Sequence, residues 1–171
     1  METSKWFDRK FDFSMHQGDL SGIATRLEQT MEELEQVTRN LPDQTLDFKP
    51  AGKWSIKEHV GHLSLLEPLW RLRFFDIKNS QPQLTPADLE NRATSEALFN
   101  AYHLQRLLTT FRNERKATLA LLVDMNEEDL LKTSLHPRLQ QRLRIIDLTY
   151  FIAEHDQHHL ARIRQIIQSF Q

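Results

Sequence analysis

The stretch Leu143-Arg144-Ile145-Ile146-Asp147-Leu148-Thr149-Tyr150-Phe151-Ile152-Ala153-Glu154-His155-Asp156-Gln157-His158-His159-Leu160-Ala161-Arg162-Ile163-Arg164-Gln165-Ile166-Ile167-Gln168-Ser169 contains neither Gly nor Pro. Leu148, Ile152, Ile163, Ile166 and Phe170 recur at helical spacing and define one apolar stripe. The pattern predicts an uninterrupted helix over 143–169. His155 and His159, four residues apart, fall on that same stripe, because i and i+4 share a helical face. The helix would thus carry two imidazoles into an apolar core, where polar groups require partners. Neutral imidazole is a good ligand, so a divalent cation would satisfy both rings at once. Hydrogen bonds to carbonyls or carboxylates would do so separately. His158 falls at the edge of the stripe. Glu154 and Asp156 are placed either to orient a ligand ring or to meet solvent.

Working outward, three further segments show the same period. Ile23, Leu27, Met31, Leu34 and Val37 mark a helix over about 20–40, ended by Leu41-Pro42-Asp43. Ile56, Val60, Leu63, Trp70, Phe74 and Ile77 mark a second over about 54–79, with a bend expected at Pro68. A third is expected over about 95–124, followed by a short capped turn at Asn126-Glu127-Glu128-Asp129. Residues 81–91 read as a connection with a turn of helix after Pro86, and 133–141 as irregular. Only four Gly are present, and no segment alternates as a strand does. The expected class is all-α, a four-helix bundle in one domain spanning 1–171. Residues 1–19 form an aromatic extension over one end.

The chain has 171 residues and a net charge of −2, from 22 Lys and Arg against 24 Asp and Glu. That balance argues against a nucleic-acid surface, and Arg138, Arg142, Arg144, Arg162 and Arg164 read as a solvated face. With no Cys, thiolate ligands and a cysteine nucleophile are excluded. No apolar run suits a signal peptide or a membrane span, so a cytoplasmic protein with no membrane partner is expected.

A third ligand would come from the second helix, where Trp54-Ser55-Ile56-Lys57-Glu58-His59-Val60-Gly61-His62-Leu63 offers His59 and His62. A straight helical wheel puts His59 nearer the apolar stripe. Gly61 and Pro68 favour His62, by allowing close approach and by turning the face. Periodicity leaves both open. Glu67 is a candidate general base, or the partner of Arg71 or of a His ring. His136 and Arg138 are candidates for binding an anionic group at the mouth of the site, or for a loop set by Pro137.

Trp54 to His62-Leu63, His136-Pro137 and His155-Asp156-Gln157-His158-His159-Leu160-Ala161 together resemble the DinB-like (DinB/YfiT) metalloenzyme superfamily over most of the chain. The resemblance implies an unusual four-helix bundle with a divalent metal, zinc or nickel ahead of iron or manganese, held by His62, His155 and His159. His59, His158 and Asp156 become flanking groups around those ligands. It also implies an enzyme acting on a small molecule, either a transferase using a low-molecular-weight thiol or a hydrolase. A metal-binding stress-response protein without turnover is the alternative. Relatives of this kind form homodimers, so a dimer is expected too.

Overall fold

The computed structural model describes residues 6–170. In chain order its helices are α1 (Leu20–Thr38), α2 (Asp43–Leu46), α3 (Ile56–Lys78), α4 (Arg92–Glu96), α5 (Leu104–Val123), α6 (Glu127–Leu131) and α7 (Ile145–Gln168). The four long helices α1, α3, α5 and α7 form the bundle: α3 packs on α5 and α7, and α1 packs on the same two. No helix among the described residues is long and apolar enough to cross a membrane.

Local chemistry fixes where the helices begin. At α3 the Ser55 hydroxyl accepts from the Glu58 amide at 3.1 Å, and the Glu58 carboxylate accepts from the Ser55 amide at 2.8 Å. This reciprocal cap satisfies two of the donors that every helix start leaves over. α3 continues through Pro68 to Lys78. Arg144 precedes α7, and its amide donates to Asp147 at 2.9 Å.

Two sequence expectations need correction. The third long helix begins at Leu104 rather than near Ser95. Leu98 adopts a left-handed conformation (φ 50°), which breaks the chain into α4, a 3-10 turn at Phe99–Ala101 and then α5. The break sets the buried Phe99 ring against Gly61, where any Cβ would lie 2.4 Å from it. The glycine before His62 therefore accommodates a side chain, not a neighbouring helix backbone. The 133–141 region is also more regular than expected. β1 (Ser134–Leu135) pairs antiparallel with β2 (Arg142–Leu143), closing the loop that carries His136.

The N-terminal aromatics dock inward. Of that segment, residues 1–5 lie outside the described residues. The Trp6 and Phe11 rings pack on Phe151 of α7, with centroids 5.2 and 5.1 Å away.

The core comprises two apolar clusters separated by a polar layer. One holds Leu27, Trp70, Phe74, Leu122, Phe151 and Ile152; the other holds Leu34, Val60, Leu63, Phe111, Leu160 and Ile163. Between them every long helix contributes buried polar side chains: Thr30, Glu67, Arg115 with Thr118, and His155, Asp156 and His159. Burying so many polar groups in mid-bundle is costly unless each finds a partner.

Candidate metal centre

His62, on the second turn of α3, and His155 and His159, one turn apart on α7, bring one ring nitrogen each to within 4.8 Å of one another. All three rings are buried. His155 and His159 face each other through their Nε2 atoms at 3.1 Å. The His62 ring centroid lies 5.4 Å from that of His155 and 4.8 Å from that of His159. Trp54, held just before the α3 cap, lies 4.6 Å from the His62 ring and 5.9 Å from the His159 ring.

Contacts behind the rings orient two of them. His62 Nδ1 lies 2.9 Å from the Thr94 hydroxyl, leaving Nε2 for the cluster. His159 Nδ1 lies 2.8 Å from His59 Nδ1. The structure thus places His62 in the cluster and His59 behind it, bracing His159. Both rings are buried, so the wheel alone does not separate them; the Thr94 contact from α4 holds the His62 ring. His155 is different: its buried Nδ1 has no partner among the described residues.

The electrostatics favour neutral rings with lone pairs available. Burial pushes the His62 pKa down to about 4, against the opposing charge of Asp88, and that of His59 to about 3, where neighbouring imidazoles push the same way. His155 and His159 are driven well below the ordinary imidazole value, again chiefly by burial. Two Nε2 atoms in contact and an orphaned Nδ1 leave the cluster short of hydrogen-bond partners. A divalent cation suits such a donor set, since only the deprotonated ring coordinates.

The cluster opens onto a cavity of about 330 Å³. Trp6, Trp54, Leu66, Trp70 and Phe151 form its apolar walls, and Arg73, Asp88, His136, Arg138 and His158 contribute polar atoms. His136, which is buried, and Arg138, which is half-buried, both line the cavity. His158 is half-buried there, against Trp6 at 5.6 Å.

Glu67 and Asp156 do not face that cavity, and both expectations are corrected. The Asp156 carboxylate takes two hydrogen bonds from Arg115, at 2.6 and 3.1 Å, instead of orienting an imidazole. Glu67 is fully buried; it accepts from Arg115 Nε at 2.9 Å and from the Thr118 hydroxyl at 2.6 Å. It is no general base for a cavity that it does not line. Arg71, its expected partner, binds Glu114. Glu154 is engaged by Arg9 and Arg26.

Four residues escaped the sequence reading: Thr94, Trp6, Arg73 and Arg115. Arg115 had a readable signal, for it interrupts the apolar stripe Leu108, Phe111 and Leu122 of α5. Arg73 likewise sits among Trp70, Phe74 and Ile77. Thr94 had none, since it lies on a short helix whose docking is purely tertiary.

The DinB superfamily model matches residues 26–163. A Bacillus pumilus protein named "Putative metal-dependent hydrolase" is 26% identical over 145 residues, covering 84% of this chain and 82% of that one. Among solved structures, YfiT from Bacillus subtilis superposes with a TM-score of 0.80 at 20% identity, over 95% of this chain and 93% of its own. It is described as a probable metal-dependent hydrolase with an unusual four-helix bundle topology. A mycothiol-dependent maleylpyruvate isomerase superposes with a TM-score of 0.66 at 8% identity, over 83% of this chain and 59% of its own. The bundle, the buried histidines and a match over most of the sequence lead to one assignment: the chain belongs to the DinB superfamily.

Proposed function

We propose that this protein is a metal-dependent enzyme in which His62, His155 and His159 hold one divalent cation, zinc or nickel ahead of iron or manganese, and act on a small molecule. The observation that carries the reading is three convergent, buried, neutral imidazoles opening onto a cavity, with no fourth protein donor in the cluster among the described residues. Three protein ligands with an open position are the arrangement of catalytic rather than structural sites. Held this way, a divalent cation supplies Lewis acidity near neutral pH to a water or to a thiol. The protein does the rest. Thr94 and His59 fix the tautomers and tilts of two ligand rings. Trp54 and Trp70 exclude bulk water and offer flat apolar surface to a substrate.

Two reactions fit this site, and similarity supports both. The Bacillus relatives, by their names, support hydrolysis. The mycothiol-dependent isomerase supports a reaction using a low-molecular-weight thiol. The cavity favours turnover over passive metal storage.

Metal analysis of protein purified without chelators is expected to give one divalent ion per chain. His62→Ala and His155→Ala should each lose most of it while keeping helical circular dichroism. Metal retained in both variants would remove the basis of the proposal. A panel of thiols and ester or amide substrates, run with the loaded protein, then separates transfer from hydrolysis.

A further inference from the structure

We propose that the cavity contains an anion-recognition site, formed by Arg73, His136 and Arg138, which holds a carboxylate or phosphate of the substrate while its reacting end lies at the histidines. The inference rests on the reading of this cavity as a substrate site, and it narrows the substrate to small anions with a flat apolar body.

Arg73 is 2% exposed, yet it makes no ion pair among the described residues. Its Nε donates to the Thr85 carbonyl at 2.9 Å, and its Nη1 lies 3.3 Å from His136 Nε2. Asp76, the carboxylate nearest in sequence, is turned to the Thr85 amide and hydroxyl, at 2.6 and 2.8 Å. Asp76 acts on Arg73 only through its charge, at longer range than an ion pair, and a buried guanidinium left without an ion pair is unusual, because such groups are almost always paired.

The tautomer of His136 strengthens the case. Its Nδ1 accepts from the backbone amides of Arg138 and Leu139, both at 3.2 Å. In a neutral ring the proton must then sit on Nε2. That N–H meets Arg73 Nη1, another donor, so the 3.3 Å contact is not a hydrogen bond but two donors awaiting one acceptor. Burial and the two guanidiniums push the His136 pKa down to about 3, which keeps the ring neutral. Burial lowers Arg73 only to about 10, so it stays charged.

Arg138 supplies the third donor. Its Nη1 donates to the Phe7 carbonyl at 3.3 Å, and its buried Nη2 has no partner among the described residues. Asp88 is the one acidic group lining the cavity among the described residues. Its oxygens already accept from the Glu90 and Ala93 amides, each at 3.2 Å, at the start of α4. Donors from both guanidiniums and one imidazole therefore line the cavity, and the Asp88 charge acts on His62, whose pKa it raises against burial, rather than on either guanidinium. Charge-assisted, forked hydrogen bonds of this kind suit a carboxylate or a phosphate.

The spacing sets the ligand's length. The Arg73 guanidinium lies 5.4 Å from the Trp70 ring centre, and that ring lies 5.7 Å from His155. On the other wall, Arg138 lies 6.0 Å from Trp6, which is 5.1 Å from His155. One aromatic ring thus separates the cationic end from the histidines on either side. A ligand bridging them needs an anion at one end and a body about one ring long.

The test uses the full chain, both zinc-loaded and EDTA-treated, with three matched probes: 3-phenylpropionate, phenyl phosphate and 3-phenylpropionamide. Calorimetry, with the fluorescence of the cavity tryptophans as a second readout, should show at least one anion binding about tenfold or more tightly than the amide. Such a factor corresponds to about 1.4 kcal/mol. Whichever anion binds more tightly identifies the group recognised. Arg73→Met and Arg138→Met should each erase most of that preference, leaving zinc stoichiometry unchanged. Arg73→Lys, which keeps the charge, should retain part of it. If Arg73→Met fails to fold, Arg138→Met and Arg73→Lys carry the test. Equal affinity for all three probes, no saturable binding of either anion at millimolar concentration, or a preference surviving both Met variants would overturn the inference. Loss of zinc binding with the anion preference intact in EDTA-treated protein would instead count against the metal reading alone.

Discussion

His155 and Asp156 are neighbours on α7 and both are buried, but they belong to opposite kinds of polar site. On the Asp156 side all three guanidinium nitrogens of Arg115 are engaged, through four hydrogen bonds and a further ion-pair contact. Nε and Nη2 serve Glu67, Nη1 and Nη2 serve Asp156, and Nη1 also reaches the Leu27 carbonyl at 3.1 Å. On the His155 side, two Nε2 atoms confront each other and one Nδ1 is orphaned. Two adjacent residues on one helix thus face a closed polar network and an open one. Saturation is what distinguishes them: a network complete within the chain joins helices, and one completed only by something from outside marks where a cation or substrate belongs.

The closed network should give the largest effect when broken. Arg115→Met leaves Glu67 and Asp156 buried without their cation, and such a loss costs about 3–5 kcal/mol. Urea denaturation should register that fall, with metal content per folded chain unchanged. Glu67→Gln should cost much less. Gln keeps the shape and one oxygen that can accept from Arg115 or Thr118, and Asp156 remains as the buried counter-charge. A larger loss for Glu67→Gln than for Arg115→Met would reverse this view of the network.

The same contrast explains what was legible in the sequence. Apolar periodicity located the four long helices because each buries a stripe, and the stripe is a local property. The His155 and His159 pair was legible for the same reason, being i and i+4 on one helix. The choice between His59 and His62 was not, since it depends on how α3 rotates against α7 and on the Thr94 contact from α4. Arg115 and Arg73 were written into apolar runs, but a charge on a stripe does not announce its partner. Glu67 shows the cost of that gap: its inward position was readable, and its engagement by Arg115 rather than the cavity was not. The start of α5 was missed because the left-handed turn at Leu98 is imposed by burying Phe99 on Gly61, a contact between distant segments.

The open network should make metal-free protein sensitive to acid. In the unfolded chain the imidazoles protonate near the ordinary value of 6.5; in the fold, His62 resists to about 4, and His59 and His136 to about 3. Between those limits the unfolded state binds more protons, so stability falls as pH drops. In EDTA, the urea midpoint should be level above about pH 6.5 and decline steadily towards pH 4. A midpoint independent of pH over that range would mean that the rings are not held neutral by burial.

A smaller effect is expected one step behind the cluster. His59→Ala removes the group that braces His159 Nδ1. Losing such an orienting partner typically weakens metal affinity by about 10–100-fold without abolishing it. Competition with a zinc-sensitive dye would measure this. Complete loss of metal would make His59 a direct ligand and redraw the cluster; an unchanged affinity would make the 2.8 Å contact incidental.

The smallest effect should come from His158, which adjoins His159 in the sequence but falls at the edge of the apolar stripe. On a helix, adjacent residues point about 100° apart, so His158 cannot share the face of its neighbour. Its ring stands nearly perpendicular to that of His159, at 87° and 5.4 Å, and lines the cavity beside Trp6. Burial and the nearby Arg162 and Arg9 lower its pKa to about 4, so it is neutral at pH 7 and adds no charge to the cavity. His158→Ala should therefore leave metal stoichiometry intact and shift zinc affinity by less than His59→Ala does, although His59 lies on another helix. Whatever change it makes should appear in the binding of ligands that contact the Trp6 wall. If His158→Ala weakened zinc more than His59→Ala did, proximity in sequence would outrank the helical geometry on which the whole assignment of this centre depends.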